Sequence, residues 1–260
     1  MNSRTIILRA LLPCLCAAIF FAAYSANAVD IKKCSMVADG SAEIITFGAQ
    51  QDNGKRATLK GILAGPAGAG PFPVIVILPG GQGLYTPYCY GAWVDKFKSW
   101  GYATLIVASS TAHDGGGNRL PQYSFVDQAN HALGAASALA KMPKVDLTRI
   151  GVWGFSLGGL TAIELATRPW KGSNRFRVII AASPHCPATV LTPHTPLFVL
   201  IGAEDATAPL SACIDFAAQL ERAKGFEFLL MPGARHFFWM NAAAADLSAQ
   251  RIQAFLTKHF

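Results

Sequence analysis

Ser156 sits between two glycines, each two residues away, in Gly154-Phe155-Ser156-Leu157-Gly158. This spacing is the one that makes a serine hydroxyl available for nucleophilic attack. A sharp turn from strand to helix forces the serine into a strained backbone conformation, and glycines on either side let the two elements approach closely. The hydroxyl is then presented in a cleft at the N-terminus of the following helix, where backbone N–H groups can receive developing negative charge. Because a serine hydroxyl is a weak nucleophile at neutral pH, a neutral imidazole must take its proton as it attacks a carbonyl. A carboxylate must in turn hold that imidazole in one tautomer and stabilise the imidazolium. Two later stretches can supply them: Gly202-Ala203-Glu204-Asp205-Ala206-Thr207-Ala208-Pro209 and Pro232-Gly233-Ala234-Arg235-His236. Asp205 is the candidate acid and His236 the candidate base. Glu204 offers the same group from a register shifted by one. Among the other histidines, His131 falls within a helix, His194 before a strand and His259 at the C-terminus, and these read as surface or structural residues. His113 and His185 follow strands and are candidates for lining the same cleft.

The elements that must position these residues read as an alternating β/α array. Strands are expected at 42–48 and 57–64, joined by the turn Asp52-Asn53-Gly54-Lys55. The unbroken apolar run Val74-Ile75-Val76-Ile77-Leu78 reads as a strand covered by helices on both faces. Further strands are expected at 103–108, at 150–153 leading into the serine turn, and at 178–182, 197–201 and 227–231. Helices are expected at 92–99, 124–141, 160–167, 210–223 and 243–259, with Pro143 closing the second. Such alternation implies right-handed crossovers and a mostly parallel, doubly wound α/β sheet with helices on both faces. Ligands gather at the carboxyl ends of strands in such sheets. Ser156, Asp205 and His236 all follow strands.

At 260 residues the chain is long enough for one large domain, and 14% charged residues fit a well-buried core rather than disorder. Residues 1–28 read as a secretory signal peptide. Arg4 and Arg9 form a positive n-region, residues 11–23 an apolar core, and Ala26-Asn27-Ala28 a small-residue cleavage site. An uncleaved membrane anchor is the alternative, but the apolar core is shorter than the ~20 residues a spanning helix needs. No stable membrane insertion is expected after cleavage, and the single domain is expected over 29–260. Cys14 and Cys16 precede the cleavage point and do not suit a lipid anchor. Removal of Arg4 and Arg9 lowers the formal charge of +7 by two, to +5, and the remaining basic residues are scattered. That pattern does not suit nucleic acid. The four cysteines left, Cys34, Cys89, Cys186 and Cys213, point to disulfides in a periplasmic or secreted protein. Cys186 follows the strand expected at 178–182 and Cys213 opens the helix after the Asp205 loop. Consecutive parallel strands should bring these two within bonding distance, leaving Cys34 to pair with Cys89. No dinucleotide-binding or phosphate-binding glycine motif and no metal-ligand spacing is present, so no cofactor or metal is expected.

The order Ser156, Asp205, His236 is that of α/β-hydrolases. The chain resembles the dienelactone hydrolase family of that fold, whose motifs of the types Gly-x-x-Asp-x-x-x-Pro and Gly-x-x-His-x-Phe are matched by Gly202 to Pro209 and by Gly233 to Phe238. The similarity runs from residue 57 to the C-terminus. It implies an α/β-hydrolase fold without an evident lid domain and a small-molecule ester or lactone as substrate. An oxyanion hole is expected from the backbone N–H of Leu157 and a second N–H in the loop Pro79-Gly80-Gly81-Gln82-Gly83, from Gly81 or Gln82. That loop resembles the His-Gly-Gly loops of esterases with proline in place of histidine; a glycine-rich turn without a catalytic part is the alternative. The name-giving enzymes of the family use cysteine at the elbow and a glutamate in the oxyanion loop, whereas this chain has Ser156 and no acidic residue from Pro79 to Thr86. Both departures point away from dienelactones and towards a general serine carboxylesterase. An amide hydrolase using the same triad, or a non-catalytic binding protein of this fold, are the competing readings. Trp93, Tyr85, Tyr88, Tyr90, Phe237, Phe238 and Trp239 flank the candidate loops as an aromatic acyl pocket or as core.

Overall fold

The strands are of two kinds, and their sequences say why. β2 (Arg56–Ala64) alternates exposed and buried side chains and pairs antiparallel with the neighbouring edge strand β1 (Ala42–Gln50), the pattern of a sheet with one wet face. β3 (Phe72–Leu78), β4 (Ala103–Ala108), β6 (Val178–Ala182) and β7 (Leu197–Gly202) are almost wholly buried, as parallel strands covered on both faces must be. The computed structural model describes residues 36, 40–84, 90–112, 123–169 and 176–260. The leader at 1–28, the Cys34–Cys89 pairing, His113, Tyr85 and Tyr88 lie outside the described residues.

With β5 (Val145–Phe155) and β8 (Phe226–Met231), the described strands form one eight-stranded sheet in the order β1-β2-β4-β3-β5-β6-β7-β8. β1–β2 and β2–β4 are antiparallel and the other pairs parallel. This is the α/β-hydrolase arrangement. Helices α1 (Gly91–Ser99) and α5 (Ala242–His259) cover one face, packing Trp93, Phe97, Ile252 and Phe255 on Ile75, Ile77, Trp153 and Phe198. Helices α2 (Phe125–Leu139), α3 (Leu157–Thr167) and α4 (Leu210–Leu220) cover the other, over Val74, Val76, Val152, Ile179 and Val199. α2 starts on a capping box: Asp127 N–H donates to Ser124 Oγ at 2.9 Å and Ser124 N–H to Asp127 Oδ2 at 3.2 Å. Asp127 Oδ1 also accepts from Asp52 N–H at 2.8 Å, which ties the β1–β2 turn to the helix.

Two boundaries differ from the sequence expectation for identifiable reasons. β5 begins five residues before 150, because Val145 pairs with Phe72 across an irregularity that Asp146–Arg149 absorb. Thr148 Oγ1 and Arg149 Nε donate to Asp146 at 2.6 and 2.7 Å, so the polar stretch satisfies itself. α3 begins at Leu157 rather than 160, directly after the serine. Among the described residues no helix is long and apolar enough to cross a membrane.

Candidate active site

Ser156 is the last residue before α3 and the turn there is strained, with φ 55° and ψ −113° in a residue that has a Cβ. Its N–H donates to Ala182 O at 2.9 Å, so the turn is fastened to the neighbouring strand. The flanking glycines are required sterically. A Cβ on Gly154 would collide with the Gly158 carbonyl, and one on Gly158 with the Leu78 carbonyl. Leu157 is the first helical residue, and its N–H has no acceptor one turn earlier.

The loops after β7 and β8 are hydrogen-bonded to each other before either reaches the serine. Ala203 N–H donates to Met231 O at 2.9 Å and Glu204 N–H to Ala234 O at 2.8 Å, and the approach is close enough that a Cβ on Gly202 would collide with Ala234 O. Asp205 Oδ1 accepts from the N–H groups of Thr207 (2.9 Å) and Ala208 (2.8 Å). The carboxylate faces His236 Nδ1 with Oδ2 at 2.9 Å and Oδ1 at 3.1 Å. On the opposite side of the ring, Nε2 lies 3.1 Å from Ser156 Oγ. One tautomer satisfies every contact: Nδ1–H donates to Asp205 and unprotonated Nε2 accepts from the serine hydroxyl. Asp205 and His236 are both buried, at 7% and 8% exposure. Burial pushes the Asp205 carboxyl up, yet the hydrogen bonds from His236, Ala208 and Thr207 and the histidine's charge outweigh it and hold the group below its ordinary value. The structure thus brings Ser156, Asp205 and His236 together. Glu204 turns instead towards Arg235, at 3.8 Å on the exposed surface.

Of the competing histidines, His185 is exposed with Nε2 3.1 Å from Thr207 O, beside the Asp205 loop. His131 is wholly buried in α2, His194 is exposed and His259 stacks near Phe255 at 4.5 Å. The aromatic residues divide. Trp93 and Phe238 are core, and Tyr90 is buried. Phe237 and Trp239 are half-buried beside the histidine: ring centres lie 5.3 Å apart for Phe237 and His236, 4.9 Å for Phe155 and His236, and 4.6 Å for Phe155 and Trp239.

The loop after β3 runs against the nucleophile. A Cβ on Gly80 would come within 3.2 Å of Ser156 Cβ, and one on Gly81 within 4.0 Å of Leu157 Cδ2. Gly81 and Gln82 are exposed while Gly80 is buried. Gly80 N–H donates to Tyr90 Oη at 2.9 Å, and Gly83 N–H to Gly80 O at 2.9 Å. The role of Tyr90 was not readable as such from the sequence, nor was that of Ser183, whose Oγ donates to His236 O at 3.0 Å. A positive φ of 44° in a non-glycine residue marks Ser183 only once the backbone is known. Cys186 and Cys213 are joined, with S–S 2.04 Å and Cα–Cα 5.0 Å, and this tie links the loop after β6 to the first turn of α4. Among the described residues no group of three or more His, Cys, Asp or Glu could hold a metal ion.

Residues 61–260 match the model of the protein family described as PET hydrolase-like. Esterase FrsA of Escherichia fergusonii is 30% identical over 128 residues, a stretch that covers 49% of this chain but only 29% of that relative. Among solved structures, an esterase of Pyrococcus furiosus superposes with a TM-score of 0.67 at 17% identity, over 85% of this chain and 95% of the other. A protein described as a putative dienelactone hydrolase from Klebsiella pneumoniae gives 0.64 at 17% identity, over 83% and 99%. These two likenesses carry the fold, and the fold is the one that the dienelactone hydrolase resemblance implies.

Proposed function

Since the chain belongs to the PET hydrolase-like family of α/β-hydrolases, we propose that it is an exported serine hydrolase that cleaves a carboxylic ester or lactone through an acyl-enzyme intermediate. The observation that carries this reading is the unbroken line of contacts from Asp205 through His236 to Ser156, at 2.9 and 3.1 Å. Ser156 Oγ attacks the acyl carbon while His236 Nε2 takes its proton, and Asp205 stabilises the resulting imidazolium. The negative charge moving onto the carbonyl oxygen meets the N–H of Leu157 and an N–H of Gly81 or Gln82. Collapse expels the alcohol, protonated by His236, and leaves Ser156 acylated. Water activated by the same imidazole then releases the acid. Serine at the elbow and the absence of an acidic residue from Pro79 to Thr86 favour a simple ester over a dienelactone. The half-buried Phe237 and Trp239 offer an apolar wall for one side of such a substrate.

Export to the periplasm or medium is supported by the leader pattern at 1–28 and by the Cys186–Cys213 disulfide, which suits an oxidising compartment. A fluorophosphonate probe should label the wild-type protein and leave Ser156→Ala unlabelled; labelling that survives the substitution rules out the nucleophile. A panel of p-nitrophenyl esters of increasing chain length, with an aromatic diester and an anilide control, should show turnover of esters only. Turnover of the anilide at a comparable rate would move the activity to amides. N-terminal sequencing of the exported protein should begin at Val29.

A further inference from the structure

We propose that Gln128 and Thr161 are positioning residues that fix the two halves of the oxyanion hole relative to each other; this rests on the hydrolase reading above. Both side chains are fully buried, on α2 and α3. Gln128 Nε2 donates to Pro79 O at 2.9 Å, and Thr161 Oγ1 lies 2.7 Å from Gln128 Oε1 and 3.0 Å from Leu157 O. The amide orientation follows from Pro79: a flipped amide would set its oxygen against the Pro79 carbonyl, two acceptors facing each other, whereas Nε2 donates to it. The hydroxyl has a single proton to share between two acceptors, and the shorter contact is to the amide. The relay Pro79 O, Gln128, Thr161, Leu157 O therefore joins the loop after β3 to the first turn of α3, the two backbone segments that carry the oxyanion donors.

What this relay holds is one particular peptide plane. The Pro79–Gly80 peptide has its carbonyl on Gln128 and its N–H on Tyr90 Oη, at 2.9 Å each, so both polar ends are occupied by buried side chains. The next carbonyl, Gly80 O, accepts from Gly83 N–H at 2.9 Å, with Tyr123 Oη at 3.4 Å. In a trans peptide the N–H points away from the carbonyl. Anchoring Gly80 O inside the turn thus leaves the Gly81 N–H facing out of it, in a loop so near the nucleophile that a Cβ on Gly80 would come within 3.2 Å of Ser156 Cβ and one on Gly81 within 4.0 Å of Leu157 Cδ2. Of the two candidate donors, this geometry favours Gly81. Gln128 meets the adjacent helix at Thr161 and, beyond it, the loop after β3 at Pro79, so that one side chain joins both segments.

The test uses the full chain and compares Gln128→Met, which keeps the bulk and removes the donor, with Thr161→Val and Thr161→Ser, which remove and keep the hydroxyl. Three quantities are read: the phosphonylation rate of Ser156, kcat and KM on the best p-nitrophenyl ester, and the pH profile. A slightly displaced oxyanion donor should lower kcat by about 10- to 100-fold for Gln128→Met with KM within about two-fold, because the lost interaction is made in the transition state. Phosphonylation should slow in parallel, and the acid limb of the pH profile should stay in place because His236 is untouched. Thr161→Val should lose roughly 5- to 10-fold in kcat, by the same argument from displacement, and Thr161→Ser should restore wild-type kcat. If Gln128→Met does not fold, the Val and Ser pair decides: equal kcat for the two overturns the proposal. So does a rise in KM alone, a shifted acid limb, or undiminished phosphonylation of the variants beside a labelled wild type. A wild type that is not phosphonylated at Ser156 overturns the hydrolase reading itself, and this proposal with it.

Discussion

The two halves of the proposed active site are held in place by different means. The acid–base half, on the loops after β7 and β8, is held by main-chain bonds between those loops, by backbone N–H groups on the Asp205 carboxylate, and by a disulfide at the foot of α4. The proposed oxyanion half, on the loop after β3, is held by side chains reaching in from elsewhere: Tyr90 from the start of α1, Gln128 from α2 and, through it, Thr161 from α3. Main-chain bonds are indifferent to most substitutions, so the first half should resist side-chain changes outside the triad. Among the described residues, the bond of that kind in the second half is Gly83 N–H to Gly80 O, inside the loop itself. Catalysis should therefore be fragile in the second half, and only stability in the first.

The largest effects come from the triad and set the scale. Ser156→Ala and His236→Ala should each reduce kcat by roughly 10⁴-fold or more, in line with triad deletions in other serine hydrolases, with little change in Tm. A large loss of Tm would show that the strained turn at Ser156 is part of the fold's support rather than a load on it. Asp205→Asn should cost somewhat less in kcat. Catalysis requires an unprotonated Nε2, since only that form of the imidazole can act as a base. The Asp205 carboxyl is held below its ordinary value, with the hydrogen bonds from His236 and the loop amides prevailing over burial. A depressed carboxyl adds stability that is present above its unfolded pKa, about 3.9, and is lost as pH falls through the folded value. The Tm difference between wild type and Asp205→Asn should therefore be retained above about pH 4 and shrink as the pH is lowered further. A constant difference would mean that the carboxylate is not preferentially charged in the folded protein.

The disulfide sharpens the contrast. It joins residues 27 apart, a closure worth roughly 3–4 kcal/mol in the chain-entropy estimate. Replacing Cys186 and Cys213 by serine together should lower the unfolding free energy by about that amount. Below the new Tm, kcat should stay within about three-fold of wild type, the allowance for a distant and well-tolerated change, because Ala203, Glu204, Thr207 and Ala208 still fix the Asp205 loop through their amides. Urea unfolding and ester turnover on the same preparation give both numbers. A fold that survives with kcat reduced a hundredfold would mean that the acid–base half depends on the covalent tie after all.

The same division explains what could be read from the sequence. That Ser156, Asp205 and His236 come together was legible because each sits in a local spacing whose glycines have backbone reasons: Gly154 and Gly158 admit no Cβ, and Gly202 must clear Ala234. The strands at 103–108 and 178–182 were readable to the residue because nothing but apolar side chains fits between two helical layers. The Cys186–Cys213 pairing followed from β6 and β7 being neighbours. The start of β5 was not readable, since Asp146, Thr148 and Arg149 look like a loop until their mutual hydrogen bonds are seen. His131 gave no sign that it would be fully buried. Gln128 and Thr161 carry no motif at all: each is an ordinary polar residue on a helix, and its meaning lies in a partner tens of residues away.

Ser183 provides the finest test, because it belongs to the acid–base half yet acts through a side chain. It is wholly buried at the end of β6, its N–H donates to Leu200 O at 2.8 Å, and its hydroxyl donates to the His236 carbonyl at 3.0 Å. Removing the hydroxyl leaves a buried carbonyl short of a donor, at a cost of about 1–3 kcal/mol. The imidazole itself should hardly move, since Asp205 holds Nδ1 with both oxygens and Glu204 N–H pins Ala234 O two residues before it. Ser183→Ala should therefore lower Tm while leaving kcat within about three-fold, a displacement far below the ~1 Å that costs a hundredfold. The backbone adds a second comparison. At φ 44° a residue with a Cβ is strained and glycine is not, so Ser183→Gly, which loses the same hydroxyl, should be less destabilised than Ser183→Ala by up to about 1 kcal/mol. If both variants keep their fold and lose activity a hundredfold, the acid–base half is positioned by side chains as the oxyanion half is, and the distinction between them fails.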